Sequence, residues 1–312
     1  MEIQSHDVVR FIEVDENSVG QRLDNFLMTQ LKGVPKSHIY KIIRRGEVRI
    51  NKGRSKNIYR LKLNDLVRIP PVKTKEKDTS APAKWLLTSL QQRVIFEDDD
   101  LIVLNKPSGI AVHGGTANSH GVIESLRFLR PDERYLELVH RLDKATSGCL
   151  LIAKNRKMLN GLQTLLRNRT ITKTYTALLC GVIHKRSVRV KAPLEKRTLE
   201  SGEHRVRVHP DGKKSETVFE RLAQYKNATL VLASPKTGRT HQIRVHAKHL
   251  GHPIAGDERY SSPSQYKQYR ENGLKRLFLH ASKLRFVHPI SEEIVSFEAP
   301  LDAELEKFLT TL

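Results

Sequence analysis

Between Pro70 and Ala83 the chain reads PPVKTKEKDTSAPA, where adjacent prolines and mixed charge leave no apolar period. Such a stretch has nothing to bury and reads as a linker. It requires the 312 residues to fold as separate modules, in keeping with roughly 100–200 residues per domain. The predicted organisation is a small module over residues 1–70 with its core at 20–69, a linker over 71–83, and a larger module over 84–312.

The small module is basic but patterned. Residues 32–62 hold eleven Lys or Arg against one acid, Glu47. Leu23, Phe26 and Leu27 fall at helical spacing, as do Ile39, Ile42 and Ile43, and Val48-Arg49-Ile50 is strand-like. Ser37 is the predicted N-cap of the second helix and Gly46 its C′ stop. The pattern predicts a folded basic surface rather than a disordered arm, carried by Lys36, Lys41, Arg44, Arg45, Arg49, Lys52 and Arg54. The formal net charge of the whole chain, +21, calls for an anionic partner: nucleic acid, a membrane surface or an acidic protein.

Several classes fall away. The longest apolar run, Cys149 to Ala153, is far short of the ~20 residues that span a bilayer, and the first residues lack an apolar leader core. The expectation is a soluble, unexported protein of the cytoplasm. Cys149 and Cys180 are the only cysteines, each in an apolar stretch, and read as buried thiols rather than a disulfide or zinc site. The pair Gly212-Lys213 has Arg207 where a phosphate-cradling loop needs its first glycine and Lys214 where it needs Ser or Thr. No GxSxG elbow or HExxH pair occurs. His241, His246, His249 and His252 lack zinc-type spacing and read as cap, phosphate-facing or core groups, so no metal is expected.

The large module reads as strand-rich. Val94–Phe96 and Leu101–Leu104 flank an acidic turn, Leu150–Ile152 is a buried strand, and Leu159, Leu162, Leu165 and Leu166 mark an amphipathic helix. Further strands are predicted over 174–179, 217–225, 229–233, 284–287 and 294–297. Without regular strand–helix alternation, the predicted class is α+β with a mainly antiparallel mixed sheet. Residues 261–273, SSPSQYKQYRENG, read as a polar surface insertion.

Two polar segments carry chemistry. His140-Arg141-Leu142-Asp143-Lys144-Ala145-Thr146-Ser147-Gly148 lies between apolar strands, where a scaffold can present a reactive group. Arg141 and Lys144 flank Asp143 and favour its ionised form. Locally, a nucleophilic or basic carboxylate and an Asx-type turn are both open. The second segment, Thr237 to His246, places Thr240 as cap of a helix holding Gln242, Ile243, Arg244 and His246, either an anion site or a solvated basic face.

Taken together, HRLDKATSG at 140–148, KTYTAL at 173–178 and GRTHQIRVH at 238–246 resemble the signature motifs of the RluA family of pseudouridine synthases. LNKPSGIAVH at 104–113 and LFLHASKLRFVHP at 277–289 resemble its flanking motifs, and the likeness spans roughly residues 90–300. QRLDNFL at 21–27 and KSHIYKIIRRGEVRINKGRSK at 36–56 resemble the αL-type RNA-binding module of ribosomal protein S-four. The pairing points to enzymes acting on large-subunit (23S) ribosomal RNA. The resemblance implies a cofactor-free isomerase, working as a monomer, that flips uridine from its stack. It implies Asp143 as the essential carboxylate, Arg244 as its ion-pair partner, Tyr175 as the aromatic partner of the base, Arg141 as the brace of the vacated stack and Ile243 as a packing group. Competing readings are a non-catalytic ribosome assembly factor and a base-excising glycosylase. A membrane-surface protein stands last, for want of an amphipathic anchor.

Overall fold

The computed structural model describes residues 8–31, 33–72, 81–114, 120–198 and 204–312. Most of the predicted linker, 73–80, and Lys32 of the basic cassette lie outside the described residues. The chain divides into two compact units, Met1–Ala81 and Pro82–Leu312.

In the first unit β1 (Arg10–Glu13) is followed by α1 (Leu23–Gln30), α2 (Lys36–Arg44), β2 (Arg49–Ile50), β3 (Gly53–Arg54) and β4 (Leu66–Ile69). The strands form an antiparallel sheet in the order β1-β4-β2-β3. The two apolar stripes, Leu23, Phe26 and Leu27 with Ile39, Ile42 and Ile43, pack with Val48, Val67 and Ile69 into one core. Helix α2 begins at Lys36 behind Pro35, whose φ of −58° sets the entry, and has no side-chain cap. Ser37 therefore sits inside the first turn, not at the predicted N-cap. The predicted stop at Gly46 holds. Its φ is +72°, its N–H donates to Ile43 O at 2.9 Å, and Glu47 N–H donates to Ile42 O at 3.0 Å, the paired bonds of a Schellman ending.

The second unit runs α3 (Lys84–Gln91), β5 (Val94–Glu97), β6 (Leu101–Lys106), α4 (Val122–Leu129), β7 (Glu137–Leu138), β8 (Ser147–Ala153), α5 (Arg156–Asn168) and β9 (Thr172–Cys180). It continues with β10 (Ser187–Lys191), β11 (Leu194–Thr198), β12 (His204–Val208), β13 (Glu216–Gln224), β14 (Ala228–Pro235), α6 (Gln242–His249), α7 (Pro263–Glu271), β15 (Leu279–Val287), β16 (Ile294–Glu298) and α8 (Ala303–Leu309). One large sheet has the order β10-β13-β14-β9-β15-β8-β6-β5, with β16 beside β15 and β7 beside β8, while β11 and β12 form their own ribbon. Among the described residues β15 with β8 is the parallel pairing and the others are antiparallel. The class is the predicted α+β, mainly antiparallel and mixed.

Both faces of β6 and β8 are covered, which is why these strands read as unbroken apolar runs. Ile102, Leu104, Leu150 and Ile152 turn toward Leu86 and Leu90 of α3 and Ile123 and Leu126 of α4. Their neighbours Leu101, Val103 and Leu151 turn toward Met158 and Leu162 of α5. Cys149 and Cys180 are buried free thiols, and burial pushes them up to about 12 and about 11. At the parallel junction Gly148 has φ +106°, and a Cβ there would lie 2.3 Å from Ala281 O. Only glycine fits this close approach.

The polar segment 261–273 lies mostly at the surface, as expected, but is helical and tied down at one point. Its residues 263–271 form α7, opened by a capping box in which Ser262 Oγ accepts Gln265 N–H and Gln265 Oε1 accepts Ser262 N–H, each at 3.2 Å. Tyr269 anchors this otherwise polar helix in the core, its ring centroid 6.3 Å from that of Phe308. Among the described residues no helix is long and apolar enough to cross a membrane.

Candidate active site

The loop between β7 and β8 carries Asp143. The two strands pair antiparallel, Glu137 opposite Ala153 and Leu138 opposite Ile152, and the intervening turn is closed by Thr146 N–H donating to Asp143 O at 3.0 Å. The turn is thus closed through the Asp143 backbone carbonyl. A neighbouring turn buttresses it. Gly109 N–H donates to Lys144 O at 2.8 Å, Ser108 Oγ donates to Ala145 O at 2.8 Å, and Lys106 Nζ donates to Pro107 O, Ile110 O and Lys144 O at 2.8, 2.8 and 3.3 Å. Lys106 is fully buried. Desolvation, with the nearby Arg276 charge, pushes its ammonium down to about 7.

His140 Nε2 accepts Leu151 N–H at 3.2 Å. Burial, then the Lys173 charge, pushes this imidazole down to about 4, consistent with a neutral ring serving as acceptor. Arg141 and Lys144, the flanking cations of the sequence, do not pair with Asp143, and Arg141 is exposed. The groups that face the carboxylate come instead from the start of α6. Arg244 Nη1 is 3.9 Å and His241 Nε2 3.7 Å from Asp143 Oδ2, whose side chain is 25% exposed. Both separations exceed a hydrogen bond.

Helix α6 starts at Gln242, and the residue before it is His241 in a left-handed conformation with φ 54° and no side-chain cap. Thr240 is therefore not the cap. Gln242 braces the preceding loop: its Oε1 accepts from Thr237 Oγ1 at 2.6 Å and Arg239 N–H at 3.1 Å, and its Nε2 donates to Glu216 O and Thr217 Oγ1. Ile243 is buried. His246 is a core residue, hydrogen-bonded to Ser215 and Thr217. His252 Nδ1 bonds Cys180 O. Among the described residues no group of three or more His, Cys, Asp or Glu is set to hold a metal ion.

The expected Arg244–Asp143 pair is only the longer of two contacts. Arg244 is gripped at 2.8 and 2.7 Å, through Nε and Nη2, by both oxygens of Asp257. Asp257 is 1% exposed and also accepts Arg259 N–H and Tyr260 N–H. Burial opposes the Arg244 charge, but Asp257 outweighs it and holds the guanidinium above its ordinary value. The Arg244 guanidinium lies 5.0 Å from the Tyr260 ring centroid. Sequence reasoning missed Asp257 and Tyr260. The signal available was a weak one: Arg244 is buried in the structure, a buried guanidinium demands a carboxylate, and Asp257 is the first acid after it in the chain.

Asp143, Tyr175, Ile243, Arg244, His241 and Arg141 all line one cleft of about 600 Å³. Tyr175, on β9 opposite Ala233 of β14, is held as a neutral phenol, since burial and then the Asp143 charge push its ionisation up. In the first unit Lys36, Lys41, Arg44, Arg45, Arg49, Lys52 and Arg54 are all exposed, as a surface for phosphates requires.

The description "RNA pseudouridylate synthase" belongs to a family model matching residues 100–249, and an S4 domain model matches residues 21–67. The chain is 52% identical over 309 residues to a ribosomal large subunit pseudouridine synthase C of Pasteurella multocida, covering 98% of this chain and 95% of that one. It is 51% identical over 308 residues to the protein of the same name from Escherichia coli, covering 97% of each. Among solved structures, human RNA pseudouridylate synthase domain containing 4 superposes with a TM-score of 0.60 at 26% identity, over 73% of this chain and 95% of that one.

Proposed function

The chain belongs to the RNA pseudouridylate synthase family, and from that premise we propose that it isomerises uridines of large-subunit (23S) ribosomal RNA, with Asp143 as the reacting carboxylate. The observation that carries this reading is the convergence of Asp143, Tyr175 and Arg244 on one cleft. In the reaction the N1–C1′ bond breaks and a C5–C1′ bond forms, a proton leaves C5 and one arrives at N1. Composition is unchanged, so the chemistry calls for neither a redox partner nor a nucleotide. Asp143 either attacks C1′ or assists departure of the uracil. Arg244, itself fixed by Asp257, sets its guanidinium beside that carboxylate, 3.9 Å from Oδ2.

The target base must leave its stack, at a cost of a few kcal/mol. Tyr175 offers the face that receives it, Ile243 packs beside it, and Arg141, exposed on the Asp143 loop, braces the gap left behind. Affinity comes mainly from phosphate contacts, through the seven cations of the first unit. A second recess of about 410 Å³, lined by Arg197, Arg205, Arg207, Lys248 and Arg259, adds cationic surface on the second unit. Neutralising Arg44, Arg45 and Arg49 together lowers the salt dependence of RNA binding by about 0.7 in slope per lost phosphate contact. The enzyme is read as a cytoplasmic monomer that needs no cofactor.

The test is a map of pseudouridine across ribosomal RNA from cells lacking the protein, complemented with the native chain or with Asp143→Asn. Sites should vanish, return with the native chain and stay absent with the variant. If no site vanishes, the chain is a non-catalytic assembly factor; free uracil with abasic ribose identifies a glycosylase.

A further inference from the structure

His241 joins the Asp143 site through both ring nitrogens. Its left-handed backbone turns the imidazole between two side chains, with Nδ1 2.7 Å from the Tyr260 hydroxyl and Nε2 3.7 Å from Asp143 Oδ2. The Tyr260 hydroxyl accepts Val206 N–H at 3.3 Å, so its own proton is available for Nδ1. With the hydroxyl donating to Nδ1, the single proton of a neutral imidazole sits on Nε2, facing Asp143. The opposite tautomer would set a nitrogen lone pair against the carboxylate. Neutrality follows from the surroundings. Burial pushes the imidazole down, and Arg244 and Arg259 add to this, against the opposing pull of Asp143 and Asp257. The rings of His241 and Tyr260 meet edge to face, 78° apart, which fixes the imidazole plane.

On the reading of Asp143 given above, we propose that His241 is a positioning residue, an Nε2–H donor with its tautomer set by Tyr260, that steers Asp143 Oδ2 and leaves Oδ1 to meet the ribose. Arg244 and His241 approach the same oxygen, and they do different work. Arg244 supplies charge, pinned by Asp257 two bonds at a time. His241 supplies direction, because a ring locked at one nitrogen can offer the other along only one line. The 3.7 Å gap closes with a small movement of the Asp143 loop, as catalytic hydrogen bonds commonly tighten in the substrate complex. The turn Asp257–Tyr260 thus holds both groups at once, Arg244 by a carboxylate and His241 by a hydroxyl.

The experiment measures turnover of the full chain on a transcript of large-subunit ribosomal RNA, with folding of each variant checked by thermal melting. His241→Leu should lower kcat on the order of tenfold to a hundredfold, the effect of one charge-assisted hydrogen bond, while KM for RNA moves less than about twofold. His241→Gln, whose amide keeps an N–H, should recover most of that loss. Tyr260→Phe should lower kcat several-fold in the native chain and add nothing in the His241→Gln background, a non-additivity that a merely structural tyrosine would not show. The proposal is overturned by a folded His241→Leu that keeps kcat within about twofold, or by a Tyr260→Phe effect that persists in full in the His241→Gln background. Should His241→Leu fail to fold, the His241→Gln and Tyr260→Phe pair decides. Asp143→Asn is measured alongside: turnover surviving there removes the reading of the site itself, whereas an inactive Asp143→Asn with a fully active His241→Leu removes this proposal alone.

Discussion

Residues 22–24 and 141–143 are the same tripeptide, Arg-Leu-Asp, and their carboxylates end in opposite conditions. Leu23 and Leu142 are both buried, so each tripeptide is anchored the same way. In the first, Arg22 folds back onto its own Asp24 at 3.1 and 2.6 Å, while Asn25 N–H and the Tyr40 hydroxyl donate to the same carboxylate at 2.9 and 3.3 Å. That side chain is 2% exposed. In the second, Arg141 is left exposed and Asp143 meets α6 and its cap only at 3.9 and 3.7 Å. A carboxylate whose lone pairs are filled is part of the frame. One approached at long range, at the rim of a cleft, still has coordination to give to a substrate.

Exchanging the fates of the two acids is the largest perturbation. Asp143→Asn should cut turnover on the order of 10³-fold or more without moving the melting temperature, read by single-turnover kinetics beside calorimetry. A fall in stability comparable to that of a core mutation would place Asp143 in the frame with Asp24. Asp257→Asn comes next, because it strands a buried guanidinium. About 3 kcal/mol of stability should be lost, with kcat falling alongside, and denaturant unfolding reads the first directly.

Asp24→Asn should cost the first unit about 2 kcal/mol, weaken RNA binding and leave kcat at saturating RNA in place. Its pH dependence has a definite sign. Arg22 first, against the cost of burial, holds the Asp24 carboxyl below its ordinary 3.8. The stabilisation is therefore complete above that value and drains away as pH falls through the lowered folded value. Unfolding curves for the native chain and Asp24→Asn should converge in acid; a constant gap would mean the charge is irrelevant. A buried cation, Lys106, gives a slope with pH, because its folded value near 7 lies below its ordinary 10.5. The unfolded chain binds this proton more readily across that window, so stability of the second unit rises with pH from about 7 toward 10.5, at most ~1.4 kcal/mol per pH unit. Lys106→Met should remove that slope, which titrated melting would reveal.

What could be read from the sequence was whatever a short stretch of chain decides by itself. The stripes of α1 and α2, the Gly46 stop and the strand–loop–strand around Asp143 depend on neighbours a few residues away. The prolines and charges before residue 84 likewise mark a boundary locally. Ser37 and Thr240 failed as caps because the entry to each helix is set by a backbone conformation, the φ of Pro35 and the left-handed turn at His241, that outweighs a hydroxyl nearby. Residues 261–273 look solvated because a single side chain, Tyr269, carries the contact that fixes α7, and one aromatic makes no period. Arg141 and Lys144 are the cations nearest Asp143 in sequence, yet Arg244 and His241 face it, since the large sheet carries α6 to the mouth of the loop.

The parallel meeting of β15 with β8 also sets a clock. His280 lies opposite Ser147 and Ala281 opposite Gly148, partners 133 residues apart. At about 5–20 residues per second of synthesis, the strand that locks the Asp143 loop emerges about 7 to 27 seconds after the loop itself. The first unit needs nothing beyond its own 81 residues to close its sheet. A growing chain therefore completes its S4 domain long before the loop that carries Asp143 is framed by β15.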